Sequence, residues 1–217
     1  RLLGFTVLGS LTIVAPVMSL EALTLTYLKI PQAVTDALMR LITAKTYPEL
    51  IYVLAIAAFG AAVSEEFVFR GILQRSIMSR LSPWASIVVA SAVFALLHTI
   101  WRMPPALVLG IFLGFLYWRT QSLVMPMVAH FTINTVSVVV TFVTERRGEL
   151  AMLAWIREDK PAPAWLVVVS LAVFALAVRV LWKEGAPAAS PGDLSGDSMP
   201  VDPAGTPPRV PPETPTP

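Results

Sequence analysis

Long apolar runs separated by short polar segments make up most of this chain. The first run, Leu2 to Leu20, carries no charge, and its apolar character continues past Glu21 to Leu28. About 20 consecutive apolar residues cross the hydrocarbon core of a bilayer, so this run predicts a membrane-spanning helix. Comparable runs follow at residues 49–80, 81–100, 106–118, 120–144 and 163–182. The pattern predicts an all-α fold, a polytopic membrane helix bundle of about six transmembrane helices.

Two segments depart from that pattern. Residues 31–48 place apolar side chains at i, i+4, i+7 and i+8, which predicts a short amphipathic helix lying at the membrane interface. Residues 184–217 are rich in proline and almost lack bulky apolar side chains, so we expect a disordered, solvated tail. The sequence therefore divides into a helix bundle, residues 1–183, and a Pro-rich tail.

The composition agrees with a membrane protein and excludes several functions. Hydrophobic residues make up 56% of the 217 residues and charged residues 14%, against about 25% charged in ordinary soluble domains. The net charge of +2 is small and spread over the loops, so the chain has no basic surface for a nucleic acid. The chain contains no cysteine, which excludes disulfides, thiolate metal sites and cysteine nucleophiles.

Three charged residues, Glu65, Glu66 and Arg70, lie together inside the second run. A charged side chain at membrane depth costs at least a few kcal/mol, so a cluster of three requires an explanation. On a helix, Glu66 and Arg70 lie at i and i+4 and can form an ion pair. Glu65 lies about 100° around the helix and is free for another role. The alternative is that the cluster marks a helix end at the water interface, where charged groups stay hydrated.

Both histidines of the chain also lie in predicted spans. His98 is near the end of the third run, and His130 shares a helical face with Asn134 because the two are four residues apart. A single histidine in a membrane helix is most simply explained by a hydrogen bond to a neighbouring helix. Ionisable groups in a membrane face the bundle interior or a watery cavity, so we expect Glu65, both histidines and Asn134 to face one another.

Gly110 and Gly114 give the fourth run a G-x-x-x-G spacing. This spacing is typical of a helix face that another helix approaches closely. Two incidental glycines in a membrane helix are the alternative explanation.

Elimination narrows the chemistry available to the buried polar groups. Every aspartate and every lysine lies outside the predicted spans, which excludes an aspartyl pair and a Ser–Lys dyad at membrane depth. The G-x-S-x-G and H-E-x-x-H patterns are absent. A carboxylate, two imidazoles and an amide remain, and this set suits the activation of a water molecule. The groups can act as ligands of a divalent metal with one open position, or as a base assisted by hydrogen bonds.

Three short motifs, in order and each on its own predicted span, carry a resemblance to a known family. They are Glu65-Glu66-x-x-x-Arg70, Phe94-x-x-x-His98 and His130-x-x-x-Asn134. Together they resemble the motif set of the CPBP family, the CAAX-prenyl-protease and bacteriocin-processing intramembrane endopeptidases, also called the Abi family. The resemblance covers a motif core at residues 50–143, and no motif position is substituted.

The resemblance implies an intramembrane metalloendopeptidase and a role for each motif position. Glu65 would be the general base that, with His98, activates the attacking water. Glu66 would form a structural ion pair with Arg70, and Phe94 would shape the pocket beside His98.

The resemblance also implies a cofactor. His130 and Asn134 would bind a metal or stabilise the oxyanion of the tetrahedral intermediate. The expected metal is zinc, held by Glu65, His98, His130 and Asn134. Asparagine is a poor zinc ligand beside histidine or a carboxylate, so a metal-free glutamate mechanism stays open.

The expected partners are the lipid bilayer and a peptide or membrane-anchored protein substrate. The family offers prenylated C-terminal CAAX tails, bacteriocin-type peptides, C-terminal sorting signals and membrane-anchored regulators as substrates. The Ala- and Pro-rich tail indicates a GC-rich bacterial gene, which predicts an integral protein of the bacterial cytoplasmic membrane and argues against prenylated substrates.

The alternative function is a non-proteolytic transporter, immunity factor or scaffold that binds an ion or partner through the same buried groups. The lack of internal repeat symmetry argues against a transporter.

Overall fold

A computed structural model describes residues 1–35, 37, 43–146 and 160–185, without the side chain of residue 145. These described residues form helices and contain no strand, which confirms the predicted all-α class. We number the long helices in chain order as α1 (Leu2–Leu28), α2 (Tyr47–Met78), α3 (Pro83–Leu96), α4 (Met103–Thr120), α5 (Val124–Arg146) and α6 (Ala164–Glu184). A further helical turn covers residues 32–35.

Helices α1, α2, α4, α5 and α6 are each long and apolar enough to cross a membrane. Large apolar side chains on their outer faces are exposed rather than packed, for example Ile51, Phe59 and Trp165. The third predicted span is shorter than expected: α3 has 14 residues and is about 21 Å long, against roughly 30 Å of hydrocarbon core. The protein is therefore an integral membrane protein with five candidate spans and one shorter apolar helix.

Two of the predictions fall mainly on residues that the structure does not describe. The predicted interfacial helix includes residues 36 and 38–42, which lie outside the described residues. The predicted disordered tail lies outside them from residue 186 onwards. Both stay predictions.

Helices α3 and α4 form a tightly packed hairpin. Ser82 caps α3 by accepting a hydrogen bond from the N–H of Ala85, and Pro83 occupies the first turn as predicted. A Cβ atom added at Gly110 of α4 would lie only 2.9 Å from Cβ of Ser91 on α3. One added at Gly114 would lie 3.1 Å from Ile87, also on α3. The close-approach interpretation of the G-x-x-x-G spacing is therefore confirmed.

An aromatic cluster joins three helix ends. Trp84 at the start of α3, Trp118 near the end of α4 and Trp182 near the end of α6 contact one another with ring centroids 5.5 to 6.3 Å apart. The Arg119 guanidinium lies over the rings of Trp118 and Trp182 and donates hydrogen bonds to the carbonyls of Trp182 and Gly185. Tryptophan is enriched at membrane interfaces, so these three ends lie on one side of the membrane.

Helix α2 contains two π-helical segments. They are Leu54–Gly60 and Phe67–Gln74, and they enclose the α-helical turn Ala61–Glu66. π-Helical turns are rare and occur frequently at functional sites. Helix α2 packs against α5 and α3, while α1 packs against α4, α5 and α6. Glu65 and Glu66 therefore lie between the two π-helical segments, and Arg70 lies within the second one.

Candidate active site

Three polar side chains form a stripe along α2, and two of them donate hydrogen bonds to α4. Glu66, Arg70 and Gln74 follow one another at four-residue intervals and are almost completely buried. Nη1 of Arg70 lies 2.8 Å from Oε1 of Glu66. Nη2 of Arg70 donates to the carbonyl of Gly110, 3.0 Å away, and Nε2 of Gln74 donates to the carbonyl of Gly114, also 3.0 Å away. The missing side chain of Gly114 makes room for Gln74, whereas that of Gly110 makes room for Ser91 of α3.

Gln74 is a structural residue of this stripe that the sequence analysis missed. Its amide is fully buried, and its Oε1 atom would lie 2.9 Å from a Cβ added at Gly114. A signal was present in the sequence, because Gln74 continues the i, i+4 spacing of Glu66 and Arg70 by one more turn.

Glu66 also contacts α5. Its Oε1 atom lies 2.8 Å from Nδ1 of His130, so a single carboxylate oxygen is within hydrogen-bond distance of both Arg70 and His130. The exposed fraction of the Glu66 side chain is 0% and that of His130 is 8%. Glu66 thus has a second contact beyond the ion pair that the sequence predicted.

Glu65 occupies a different environment from its neighbour. Its Oε2 atom lies 3.9 Å from Nε2 of His130, on the opposite edge of the imidazole ring from Glu66. The Glu65 side chain is 35% exposed, against 0% for Glu66. Of the two adjacent carboxylates, Glu65 is the one that a water molecule or a substrate can reach.

His98 lies just beyond the C-terminal end of α3, whereas the sequence predicted it inside a span. Its Nδ1 atom is 2.9 Å from the carbonyl oxygen of Phe94. The Phe94 ring contacts both imidazoles, with its centroid 4.7 Å from that of His98 and 6.2 Å from that of His130. In the described part of the chain, no hydrogen bond or ion pair joins His98 to the other three predicted catalytic side chains.

Asn134 lies one turn beyond His130 on α5. Its Nδ2 atom donates to the carbonyl of Ala57, 2.9 Å away in the first π-helical segment of α2. The structure therefore brings Glu65 and His130 within 4 Å of each other, and connects His98 to His130 through Phe94. Asn134 is held beside them by its own contact with α2.

The described residues do not assemble a metal site from three or more His, Asp or Glu side chains. Glu65 and Nε2 of His130 are close enough to share one ion, and the contact of His130 Nδ1 with Glu66 leaves Nε2 free for it. The bond from Asn134 to the carbonyl of Ala57 uses the amide nitrogen and not the oxygen Oδ1, but the two carboxyl and imidazole groups near Asn134 do not make a set of three metal ligands among the described residues. The side-chain arrangement does not fit a four-ligand zinc site, so we derive no catalytic step through a metal, and the zinc ion stays a prediction.

Comparison with known protein families gives a match to part of the chain. Residues 47–136 match a family model described as Type II CAAX prenyl endopeptidase Rce1-like. Residues 47–136 are similar to this family, and we call them the Rce1-like core. This match confirms the resemblance to the CPBP family, and the Rce1-like core contains all three motifs. Comparison with curated proteins gave no match, and comparison with solved structures gave none.

The Rce1-like core extends from the start of α2 into the first half of α5. It therefore includes both π-helical segments, the α3–α4 hairpin and every residue of the candidate site. In general terms this match supports a CAAX-protease-like intramembrane endopeptidase, a hydrolase that acts on peptide bonds. Helices α1 and α6 lie outside the matched residues.

Proposed function

We propose that the protein hydrolyses a peptide bond at the membrane with a water molecule activated by Glu65. The observation that supports this role is the contrast between two adjacent carboxylates. Glu66 is enclosed and holds two donors, whereas Glu65 is partly exposed and faces Nε2 of His130. A general base must be reachable by the proton that it removes, and Glu65 meets that condition.

In the proposed reaction, Glu65 removes a proton from water, and the water oxygen attacks the carbonyl carbon of the peptide. The distance of 3.9 Å between Glu65 Oε2 and His130 Nε2 is longer than a hydrogen bond, so an oxygen atom of water can contact both groups. His98, whose ring contacts Phe94, is proposed to assist Glu65. Collapse of the tetrahedral intermediate breaks the C–N bond, and the proton held by Glu65 passes to the leaving amine.

The oxyanion that forms needs hydrogen-bond donors in a site of low dielectric. Asn134 supports this role because its Nδ2 atom carries two hydrogens, and the contact with Ala57 uses one of them. The second N–H is available to a substrate oxygen.

The proposed substrate is a peptide with a C-terminal CAAX-type signal, as the description of the matched family indicates. Two forms of this substrate are considered: a peptide that carries a prenyl chain and a peptide that does not. The predicted bacterial cytoplasmic membrane would favour a peptide without a prenyl group. The apolar side chains of Phe69 and Phe94, which pack together beside the candidate site, are compatible with either form of the peptide.

The test uses the purified full-length protein in detergent or liposomes. Three peptides of matched length are offered: a prenylated CAAX peptide, the same peptide without the prenyl group, and a scrambled control. We expect mass spectrometry to detect cleavage of the first or second peptide, and Glu65→Gln to reduce turnover by about 10²- to 10⁴-fold. Full turnover by a well-folded Glu65→Gln variant would refute the role of Glu65. Binding of the peptides without any cleavage would support a non-proteolytic function instead.

A further inference from the structure

Both histidines use the same ring atom, Nδ1, for a contact with a neighbouring oxygen. The Nδ1 atom of His98 lies 2.9 Å from the carbonyl oxygen of Phe94, and a carbonyl can only accept a hydrogen bond. The Nδ1 atom of His98 must therefore carry a hydrogen. The Nδ1 atom of His130 lies 2.8 Å from Oε1 of Glu66. Arg70 stabilises Glu66 as a carboxylate, which is likewise only an acceptor, so Nδ1 of His130 also donates.

From this geometry we infer that Glu66 is a positioning residue that sets the tautomer and the ring orientation of His130. With Nδ1 protonated, neutral His130 has its lone pair on Nε2, the atom that faces Glu65. A water molecule beside Glu65 can then donate one hydrogen to Nε2 and the other to the Glu65 carboxylate. The opposite tautomer would place the Nδ1 lone pair against the Glu66 carboxylate, and this contact is repulsive.

This inference rests on the proposed function and adds separate roles for His130 and Asn134 to it. Neutral His130 in this tautomer accepts a hydrogen bond at Nε2 and has no N–H there for an oxyanion. Asn134 then supplies the oxyanion donor, while His130 helps to orient the attacking water. Glu66 acts on the reaction only through His130, because it is enclosed and no substrate atom can reach it.

The tautomer can be measured directly because the chain has only two histidines. The full-length protein is labelled with ¹⁵N-histidine, and the ring nitrogens are recorded by NMR in detergent at about pH 8, where an ordinary histidine is neutral. A His98→Asn variant assigns the two sets of signals. We expect Nδ1 protonated and Nε2 unprotonated in both rings of the wild-type protein. A wild-type His130 ring protonated at Nε2 would overturn the inference.

Variants separate positioning from stability. Glu66→Leu combined with Arg70→Leu removes the acceptor without leaving a buried unpaired charge, and Glu66→Gln keeps an acceptor oxygen. We expect the double variant to move His130 towards the Nε2-protonated tautomer and to leave the signals of His98 unchanged. We expect kcat to fall about 10- to 100-fold with little change in KM, as for other groups that orient a functional imidazole. Glu66→Gln should keep the tautomer and most of the rate per folded molecule, although it leaves the charge of buried Arg70 unpaired and should lower the yield of folded protein.

Gln74→Leu is the matched control, since it breaks a buried contact of the same stripe without touching His130. It should lower the yield of folded protein but leave the His130 tautomer and the turnover per folded molecule close to wild type. If the double variant keeps Nδ1 protonated, the positioning role fails even where Glu65→Gln shows that the protein is a peptidase. If the tautomer changes but neither the wild type nor any variant cleaves a peptide, the proposed peptidase function is wrong. The positioning of His130 by Glu66 is then still supported.

Discussion

Oε2 of Glu65 lies 3.9 Å from Nε2 of His130, on the opposite edge of the ring from the carboxylate of Glu66. One imidazole from α5 is thus held between two consecutive carboxylates of α2. Glu66 has its charge neutralised by Arg70, whereas among the described residues no lysine or arginine forms an ion pair with Glu65. The two carboxylates therefore differ in solvent access and in partners, and these differences lead to opposite expectations for their substitution.

Replacing Glu65 with alanine should abolish peptide cleavage while the protein still accumulates in membranes. The side chain is partly exposed and makes no buried hydrogen bond, so its removal leaves the helix packing intact. The measurement is the cleavage rate per mole of folded protein, with the folded amount taken from size-exclusion chromatography in detergent. Loss of folded protein in step with loss of activity would contradict this expectation.

Replacing Arg70 with alanine should lower stability strongly. The change leaves the Glu66 carboxylate buried without its cation and removes the hydrogen bond to Gly110. Removing one partner of a buried ion pair typically costs about 3–5 kcal/mol. Thermal unfolding in detergent should therefore show a clear fall in Tm. Arg75→Ala, an exposed position on the same helix, is the control and should leave Tm nearly unchanged.

Gly110→Ala should destabilise the α3–α4 hairpin, since the new Cβ atom would lie 2.9 Å from Cβ of Ser91 and 3.1 Å from its Cα atom. The backbone would have to shift, and Arg70 would lose its alignment with the carbonyl of Gly110. We expect a lower Tm and partial recovery in the Gly110→Ala/Ser91→Gly double variant. Gly4→Ala is the matched control because nothing lies within 4 Å of its added Cβ atom, and it should be neutral or slightly stabilising.

Asn134→Leu should reduce kcat by about 10²- to 10³-fold, the usual loss on removing an oxyanion donor. KM should change less, because the donor acts on charge that develops in the transition state. The change also removes the contact with Ala57, so Tm must be measured alongside the kinetics. An increase in KM with an unchanged kcat would show that Asn134 serves substrate binding instead.

Chelation of divalent metals should leave turnover within about twofold of the untreated enzyme, since a catalytic zinc normally needs three protein ligands. Among the residues described, no group of three or more such side chains is arranged to hold a metal. The measurement is turnover before and after treatment with a strong chelator, together with the metal content by mass spectrometry. Loss of activity that added zinc restores would establish the zinc site that the family resemblance predicts.

The periodicity of the α-helix was sufficient to predict part of the site from the sequence. The contact between Glu66 and Arg70 follows from the i, i+4 spacing, since both side chains lie on one helix whose geometry is regular enough to predict. The same rule would have found Gln74. The hydrogen bond from Arg70 to Gly110 joins residues 40 positions apart, and that from His130 to Glu66 joins residues 64 apart. No periodicity along the chain encodes such partners.

The sequence by itself determined the membrane setting, the helical class and the inventory of polar groups. Hydrophobic run length and residue type are local properties, and a bilayer leaves few structures that satisfy the backbone. Only the tertiary structure decided that Glu66 is enclosed and Glu65 accessible, that α3 ends before His98, and which nitrogen of His130 faces which carboxylate. Those outcomes depend on how each helix is rotated and offset against its neighbours, and this is set by close packing of side chains distant in the chain.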